Sequence, residues 1–117
     1  MADKYVERKS ISYRILAAPG ETKEVAIYRV DPGYRFIIER VQVAFPVGSY
    51  FELHVKVLRG LEQIKPTSGD YCGDGFVIAD TTKVEVGSDE TIKIWYKNDS
   101  TTQVRDALVI VEGYIET

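Results

Sequence analysis

The stretch from Val25 to Phe45, VAIYRVDPGYRFIIERVQVAF, decides the fold of this 117-residue chain. Two segments rich in β-branched and aromatic residues meet at Asp31-Pro32-Gly33. Such residues favour a pleated, half-buried surface. Proline fixes φ at the first corner of a turn, and the following glycine accepts a positive φ at the second. We therefore predict a strand, a tight turn and a second, longer strand.

The same pattern of alternating segments and turn residues recurs along the chain. Between Tyr50 and Leu58 apolar and polar residues alternate, as in an antiparallel strand with one buried face. In the longer strand the apolar phase changes near Glu39-Arg40, which predicts a β-bulge there. About eight strands are predicted in all, at residues 11–17, 22–30, 34–45, 50–58, 76–79, 83–86, 91–97 and 104–116, with a short segment at 61–64 and an irregular loop at 65–75.

These short strands, separated by turn signals, predict an all-β fold in a single domain. We expect an antiparallel β-sandwich, most simply an eight-stranded jelly roll, with an immunoglobulin-like arrangement as the alternative. Residues 11–117 form the predicted sandwich. Residues 1–10 alternate in charge and precede the first apolar strand pattern at Ile11, so we expect them to form a mobile N-terminal arm that contacts neighbouring subunits.

Composition narrows the classes of partner. The formal charge of −3 is too small to indicate nucleic acid as the main partner. No apolar run reaches the roughly 20 residues of a membrane-spanning helix, so no membrane is expected. The first ten residues lack the apolar core of a signal peptide, which predicts synthesis and folding inside the cell. The single cysteine, Cys72, excludes an intrachain disulfide.

No group of residues in the sequence has the pattern of a catalytic or metal site. His54 is the only histidine and falls on the polar face of its predicted strand. A pairing of His54 with Cys72 would need chance proximity in the fold. The loop Asp70–Gly75 superficially resembles a calcium loop, but Cys72 stands where an oxygen ligand belongs and Thr81 stands where a bidentate glutamate belongs. We predict no catalytic residues, no metal and no cofactor, and hence no enzyme.

Two features favour an interaction surface. Trp95 is predicted on the face of its strand opposite Ile92 and Ile94, away from the core. The last strand is apolar on both faces, as a central strand or one covered by a neighbouring subunit would be. The predicted interface residues are Trp95, Leu108, Val109, Ile110, Val111, Tyr5 and Arg8.

The turn and long strand of Val30–Val41, the alternating strand Phe51–Leu58 and the closing segment Leu108–Ile115 resemble one group of proteins. These are the small β-sandwich structural proteins of virions, namely the decoration, turret and minor capsid jelly rolls of tailed phages and archaeal viruses. The resemblance implies a structural role in a virion that is made in the host cytoplasm. It implies no catalytic residues.

The expected function is therefore that of a non-enzymatic virion structural protein that assembles as a homo-oligomer and contacts other capsid proteins. The alternative is a carbohydrate- or receptor-binding β-sandwich module, with a host-surface glycan as its ligand. In that alternative Trp95, Tyr50 and Tyr71 would form a stacking platform for sugar rings.

Overall fold

The computed structural model describes residues 6–117, and residues 1–5 lie outside them. The described part of the chain consists of β-strands joined by turns and loops, and it contains no helix long and apolar enough to cross a membrane. The strands are β1 (Val6–Ala17), β2 (Thr22–Arg29), β3 (Arg35–Phe45), β4 (Leu53–Arg59), β5 (Glu62–Lys65), β6 (Tyr71–Cys72), β7 (Phe76–Val86), β8 (Thr91–Asn98) and β9 (Arg105–Glu116).

The predicted turn between β2 and β3 is confirmed. The backbone N–H of Tyr34 donates to the carbonyl oxygen of Asp31 at 3.1 Å, and Gly33 has a φ of 85°. This is the geometry of a type II turn with proline at its second position. The turn is also tied to the β7–β8 connection, because the backbone N–H of Gly33 donates to Oγ of Ser88 at 2.9 Å.

The strands form two antiparallel sheets. Sheet A has the order β1-β9-β3-β7, and sheet B has the order β2-β8-β4-β5, with β6 beside β4. The first strand thus pairs with the last, β2 with β8, β3 with β7 and β4 with β5. Apart from the two-residue β6, this is the strand order of a jelly roll. The predicted β-sandwich and its jelly-roll topology are confirmed.

The core lies between the two sheets and is built by alternation along each strand. In β4, Leu53, Val55 and Val57 are fully buried, while His54 and Lys56 between them lie on the outer face of sheet B. In β9, Val109 and Val111 are buried against sheet B. Because each strand contributes one apolar face, no disulfide is needed to close a domain of this size.

The predicted bulge in β3 is confirmed. The register of β3 shifts between Ile38 and Arg40 against both β7 and β9. The shift moves Phe36 and Ile38 on one side of the bulge, and Val41 and Val43 on the other, onto the same buried face. The bulge therefore reconciles the two apolar phases of this strand.

Several predicted boundaries differ from the structure. Residues 50–52, predicted as the start of a strand, belong to the turn before β4, which begins at Leu53. Val6–Ser10, expected to belong to the mobile arm, pair with Glu112–Glu116 as the first part of β1. The rest of the expected arm lies outside the described residues. The predicted strands at 76–79 and 83–86 are one continuous strand, β7, which pairs with β3 on both sides of the bulge. The predicted irregular loop at 65–75 contains the short strand β6.

Tyr96 on β8 makes the stability of the sandwich sensitive to alkaline pH. Burial and a 3.0 Å hydrogen bond from its hydroxyl to Glu21 raise the pKa of Tyr96 from 10.0 to about 12. The unfolded chain releases this proton near pH 10, whereas the folded chain holds it until about pH 12. The contribution is therefore complete below pH 10 and is lost as pH rises through 12.

We accordingly expect the free energy of unfolding to fall more steeply between pH 10 and 12 in the native chain than in a Tyr96→Phe variant. The phenylalanine keeps the buried ring and removes the titrating hydroxyl. Urea unfolding at a series of pH values measures the difference. Identical slopes for the two proteins would contradict the role assigned to this hydroxyl.

Candidate interaction surface

Large exposed apolar side chains gather at one end of the sandwich. This is the end at which β1, β3 and β8 finish and β2, β4, β7 and β9 begin. The exposed large apolar residues there, which we call the apolar end, are Leu16, Val47, Tyr50, Phe51, Phe76, Val77, Val104 and Leu108. In the described part of the chain, only Val6 and Leu61 have comparable exposure elsewhere.

The β3–β4 loop, residues 46–52, forms the tip of the apolar end. The carboxylate of Asp74, from the connection between β6 and β7, accepts hydrogen bonds from the backbone N–H groups of Gly48 and Tyr50, both at 2.9 Å. Ser49 Oγ donates to the carbonyl oxygen of Pro46 at 2.7 Å. A charged acceptor on two backbone donors fixes the loop more strongly than neutral hydrogen bonds would.

Two consecutive residues of this loop are in the left-handed region. Tyr50 has a φ of 52° and Phe51 a φ of 57°. For residues with a Cβ this conformation costs on the order of 1–2 kcal/mol each, and it persists only where neighbouring contacts impose it. Here it turns two aromatic side chains outward, where they are 70% and 57% exposed. Strain of this kind is typical of binding sites.

Both aromatic rings are supported from neighbouring elements. The rings of Phe51 and Phe76 lie 6.3 Å apart, and the guanidinium group of Arg105 lies 5.5 Å from the ring of Tyr50. Arg105 also binds Glu52 at 2.7 Å, so its position over the ring is fixed by an ion pair. The tip therefore presents two exposed aromatic side chains that contact neighbouring elements.

A shallow cavity of about 330 Å³ adjoins the tip on the outer face of sheet A. Its lining is mostly apolar, with the ion pair of Arg14 and Asp106, 3.1 Å long, as its polar part. Its volume lies at the lower end of the range of binding pockets, roughly 300–1,000 Å³. It is lined by Arg14, Ala44, Phe45, Pro46, Asp106, Ala107 and Leu108.

Of the four predicted interface residues on the last strand, β9, two face outward and two are buried in the core. Leu108 and Ile110 lie on the outer face of sheet A, with Leu108 39% exposed. Val109 and Val111 are buried in the core, so the prediction that they form an interface was wrong. The strand is central in sheet A, between β1 and β3, with its inner face in the core and its outer face toward solvent.

The remaining predicted interface residues lie away from the apolar end. Arg8, near the start of β1, forms an exposed ion pair with Glu39. Tyr5 lies outside the described residues. Trp95 is on the outer face of sheet B, as its position opposite the buried Ile94 predicted, and the ammonium group of Lys56 lies 4.6 Å from its ring.

The predicted stacking platform does not form as a unit. Tyr71 is 5% exposed, and its hydroxyl donates to Asp80 at 2.7 Å. A sugar ring cannot reach it. The partly buried Trp95 lies on sheet B beneath Lys56, whereas Tyr50 lies at the tip of the apolar end. Of the three aromatic residues, Tyr50 alone is freely exposed.

His54 and Cys72 lie opposite each other in the pairing of β4 with β6. The two ring nitrogens of His54 are engaged by carboxylates, Nδ1 by Asp70 at 3.2 Å and Nε2 by Asp99 at 2.6 Å. Burial and these two carboxylates raise the pKa of the Cys72 thiol. The thiol donates to the carbonyl oxygen of Phe51 at 2.9 Å. This environment favours the protonated thiol, which is a poor nucleophile.

The acidic loop that superficially resembled a calcium loop has structural partners. Asp70 contacts His54, and Asp74 holds the β3–β4 loop. Within residues 6–117, no group of three or more histidine, cysteine, aspartate or glutamate side chains is placed to hold a metal ion. The role of Asp74 could not be inferred from the sequence, because its partners Gly48 and Tyr50 are more than twenty residues away.

Comparisons with known proteins do not indicate a family or a function for this chain. No protein-family model matches the chain, and no curated protein matches it. Among solved structures, the crystal structure of FlhE aligns with 91% of this chain and 96% of its own, at 12% sequence identity and a TM-score of 0.43. Similarity at that level carries no argument about function.

Proposed function

We propose that this chain is a non-enzymatic structural protein that assembles with copies of itself and buries its apolar end in the assembly. The observation that carries the proposal is the grouping of the large exposed apolar side chains at one end of the sandwich. Scattered single apolar residues are normal on a protein surface, whereas a contiguous group marks a contact with another molecule.

The composition of this end favours a protein partner. Its apolar side chains are bordered by two ion pairs, Arg14 with Asp106 and Arg105 with Glu52, so positive and negative charges are balanced at its rim. An apolar centre with a polar, charge-balanced rim is the usual anatomy of a protein interface. The locked β3–β4 loop adds to this, because side chains that are fixed in advance lose less entropy on binding.

We further propose that the assembly is a virion or part of one. Two observations support this narrower proposal. The sequence resembles the decoration, turret and minor capsid proteins described above, and the strand order is that of a jelly roll, a fold from which many capsid proteins are built. Lectin domains and cupins share the fold, so the apolar end is what favours assembly over ligand binding.

The test is the solution mass of a variant in which Tyr50 and Phe51 are both replaced by asparagine. Asparagine tolerates the left-handed conformation, so we expect the free energy of unfolding to change by less than about 1 kcal/mol. Loss of two central aromatic residues typically costs an interface about 2 kcal/mol or more. Association measured by light scattering should weaken at least tenfold.

Leu61→Asn is the matched control, because Leu61 is 91% exposed on the β4–β5 turn at the opposite end. It should associate as the native chain does. A native chain that is monomeric at micromolar concentration would overturn the proposal, as would a Tyr50/Phe51 variant that assembles normally. A monomer that binds a glycan array through Tyr50 would instead favour the carbohydrate-binding alternative.

A further inference from the structure

Within residues 6–117, sheet A has two long edge strands with no hydrogen-bonded neighbour strand on their outer side. These are β1, with twelve residues, and β7, with eleven. A side chain, Arg59, donates to the carbonyl oxygen of Glu85 in β7 at 2.6 Å. We propose that copies of the chain join head to tail, with β7 of one copy pairing with β1 of the next, so that sheet A continues across the interface. This inference rests on the proposed self-association and adds to it a contact along the edges of sheet A, which covers Leu16 and Val77 of the apolar end and leaves the tip at residues 46–52 to a separate contact.

The direction of the strands supports this arrangement. Sheet A has four strands, and each neighbouring pair is antiparallel. The strands β1 and β7 therefore run in opposite directions, β1 toward the apolar end and β7 away from it. A second copy in the same orientation presents its β1 antiparallel to β7 without being inverted. The edges of sheet B offer fewer residues for pairing with a second copy, because one of them is formed by the four-residue β5 and the two-residue β6.

The alternation of the two edge strands restricts the register. In β1 the even-numbered residues from Arg8 onward are exposed, and in β7 the odd-numbered residues are exposed. A shift by one residue would turn the outward side chains of one strand toward the core face of the other. Only registers that place odd positions of β7 opposite even positions of β1 keep both faces continuous.

Among these registers, one uses the whole of β7. It places Phe76 opposite Ala17 of the next copy and Val86 opposite Glu7 of the next copy. On the outer face it pairs Val77 with Leu16 and Glu85 with Arg8, which are an apolar pair and an opposite-charge pair. If β7 is shifted by two residues in one direction, Lys83 lies opposite Arg8, which places two positive charges side by side. If it is shifted by two residues in the other direction, Phe76 and Val77 lie beyond the end of β1 and have no partner residue there.

This register also accounts for two residues of the apolar end. Val77 is 58% exposed and Leu16 is 64% exposed, and each lies on the outer face of an edge strand of sheet A. Within one copy, Val77 continues the row of Leu108 and Ala44 across the sheet. Pairing with Leu16 of the next copy adds one more apolar residue to this row, next to Asp106 of that copy.

The test is disulfide cross-linking of Ser12→Cys combined with Thr81→Cys, in a Cys72→Ser background. The two positions face each other in the proposed register, where opposed Cα atoms are about 4.5–5.5 Å apart and within disulfide reach. Within one copy they are separated by β9 and β3, about 14 Å, which is too far. A mild oxidant should therefore produce a ladder of covalent multimers on a non-reducing gel.

Three controls make the result specific. Each single-cysteine variant should give no cross-link, because a dimer from Thr81→Cys alone would indicate pairing of β7 with β7. The combination of Ser12→Cys with Glu85→Cys is off register by four residues, about 13 Å along the strand, and should give no ladder. All cysteine positions are exposed, so folding should be retained by circular dichroism.

The outcomes separate this inference from the function on which it rests. A ladder confined to the Ser12/Thr81 combination supports head-to-tail pairing. Oligomers that form normally by light scattering but give no ladder, or that cross-link equally in the controls, overturn the pairing and leave self-association intact. A native chain that is monomeric at micromolar concentration overturns both.

Discussion

Replacing Gly113 with alanine is expected to be among the most destabilising single substitutions in this chain. A Cβ atom at this position would lie 1.9 Å from the carbonyl oxygen of Ile37 and 2.8 Å from its carbonyl carbon. Both are backbone atoms of the neighbouring strand β3, so no side-chain rotation can relieve the overlap. The strands β9 and β3 would have to separate where they pair at the bulge.

We expect the Gly113→Ala variant to lose about 3 kcal/mol of folding free energy, and its Tm to fall by roughly 10–15 °C. Thermal unfolding followed by circular dichroism measures this. Gly87→Ala is the control, since the nearest atom to its Cβ is the flexible carboxylate end of Glu90, which can move. A Tm for Gly113→Ala within a few degrees of the control would show that the bulge does not require close approach of β9.

The bulge illustrates what the sequence could predict. The change of apolar phase in β3 is a local pattern, and it correctly predicted an irregularity near Glu39-Arg40. The β-sandwich could be predicted from such patterns, because the alternation of apolar and polar residues shows which face of each strand is buried. The number of strands and turns then favoured a jelly roll. The dependence on Gly113 could not be predicted, since it arises only when residues far apart in sequence are brought together.

At the start of β1, by contrast, the local sequence pattern failed to predict a strand that the structure contains. Val6–Ser10 were expected to belong to an arm because residues 1–10 alternate in charge and precede the first apolar strand pattern at Ile11. In the structure this segment pairs with the end of β9, and the ammonium group of Lys9 lies 4.9 Å from the ring of Tyr28. A charged side chain can thus occupy an inward position at the end of a sheet by covering an aromatic ring. Hydrophobic patterns do not detect such positions.

The candidate surface was predicted least well. Of the predicted interface residues on β9, Leu108 is exposed and Ile110 is half-buried on the outer face, but the tip formed by Tyr50 and Phe51 was not foreseen as an interface. A positive φ at two aromatic residues has no sequence signature, because only the surrounding contacts impose it. The anchoring carboxylate of Asp74 is likewise visible only in the fold.

A second large effect is expected at Asp80, which points inward from β7 and closes the side of the sandwich. Its carboxylate accepts the hydroxyl of Tyr71 at 2.7 Å and lies 3.4 Å from the ammonium group of Lys65. Lys65 and Tyr71 belong to sheet B and are 8% and 5% exposed. Burial and the hydrogen bond to Asp80 raise the pKa of Tyr71, which keeps its hydroxyl protonated as a donor.

Asp80→Ala would leave a buried ammonium group and a buried hydroxyl without their acceptor. Removing one partner of such a pair is more destabilising than removing both. We expect a loss of about 2–3 kcal/mol for Asp80→Ala, measured by urea unfolding. Adding Lys65→Met should recover part of that loss, because the flexible apolar side chain replaces the unpaired charge.

The double variant decides what this cluster contributes. If Lys65→Met combined with Asp80→Ala is more stable than Asp80→Ala alone, the cost lies in the stranded charge, and the pair serves mainly to fix how β7 meets β5 and β6. If it is less stable, the stranded charge is not the source of the loss, and Lys65 stabilises the fold through contacts other than the one with Asp80. The same side of the sandwich carries the β7 edge proposed to pair with the next copy. Asp80→Ala should therefore also weaken the Ser12/Thr81 cross-linking, because the edge would lose its fixed position.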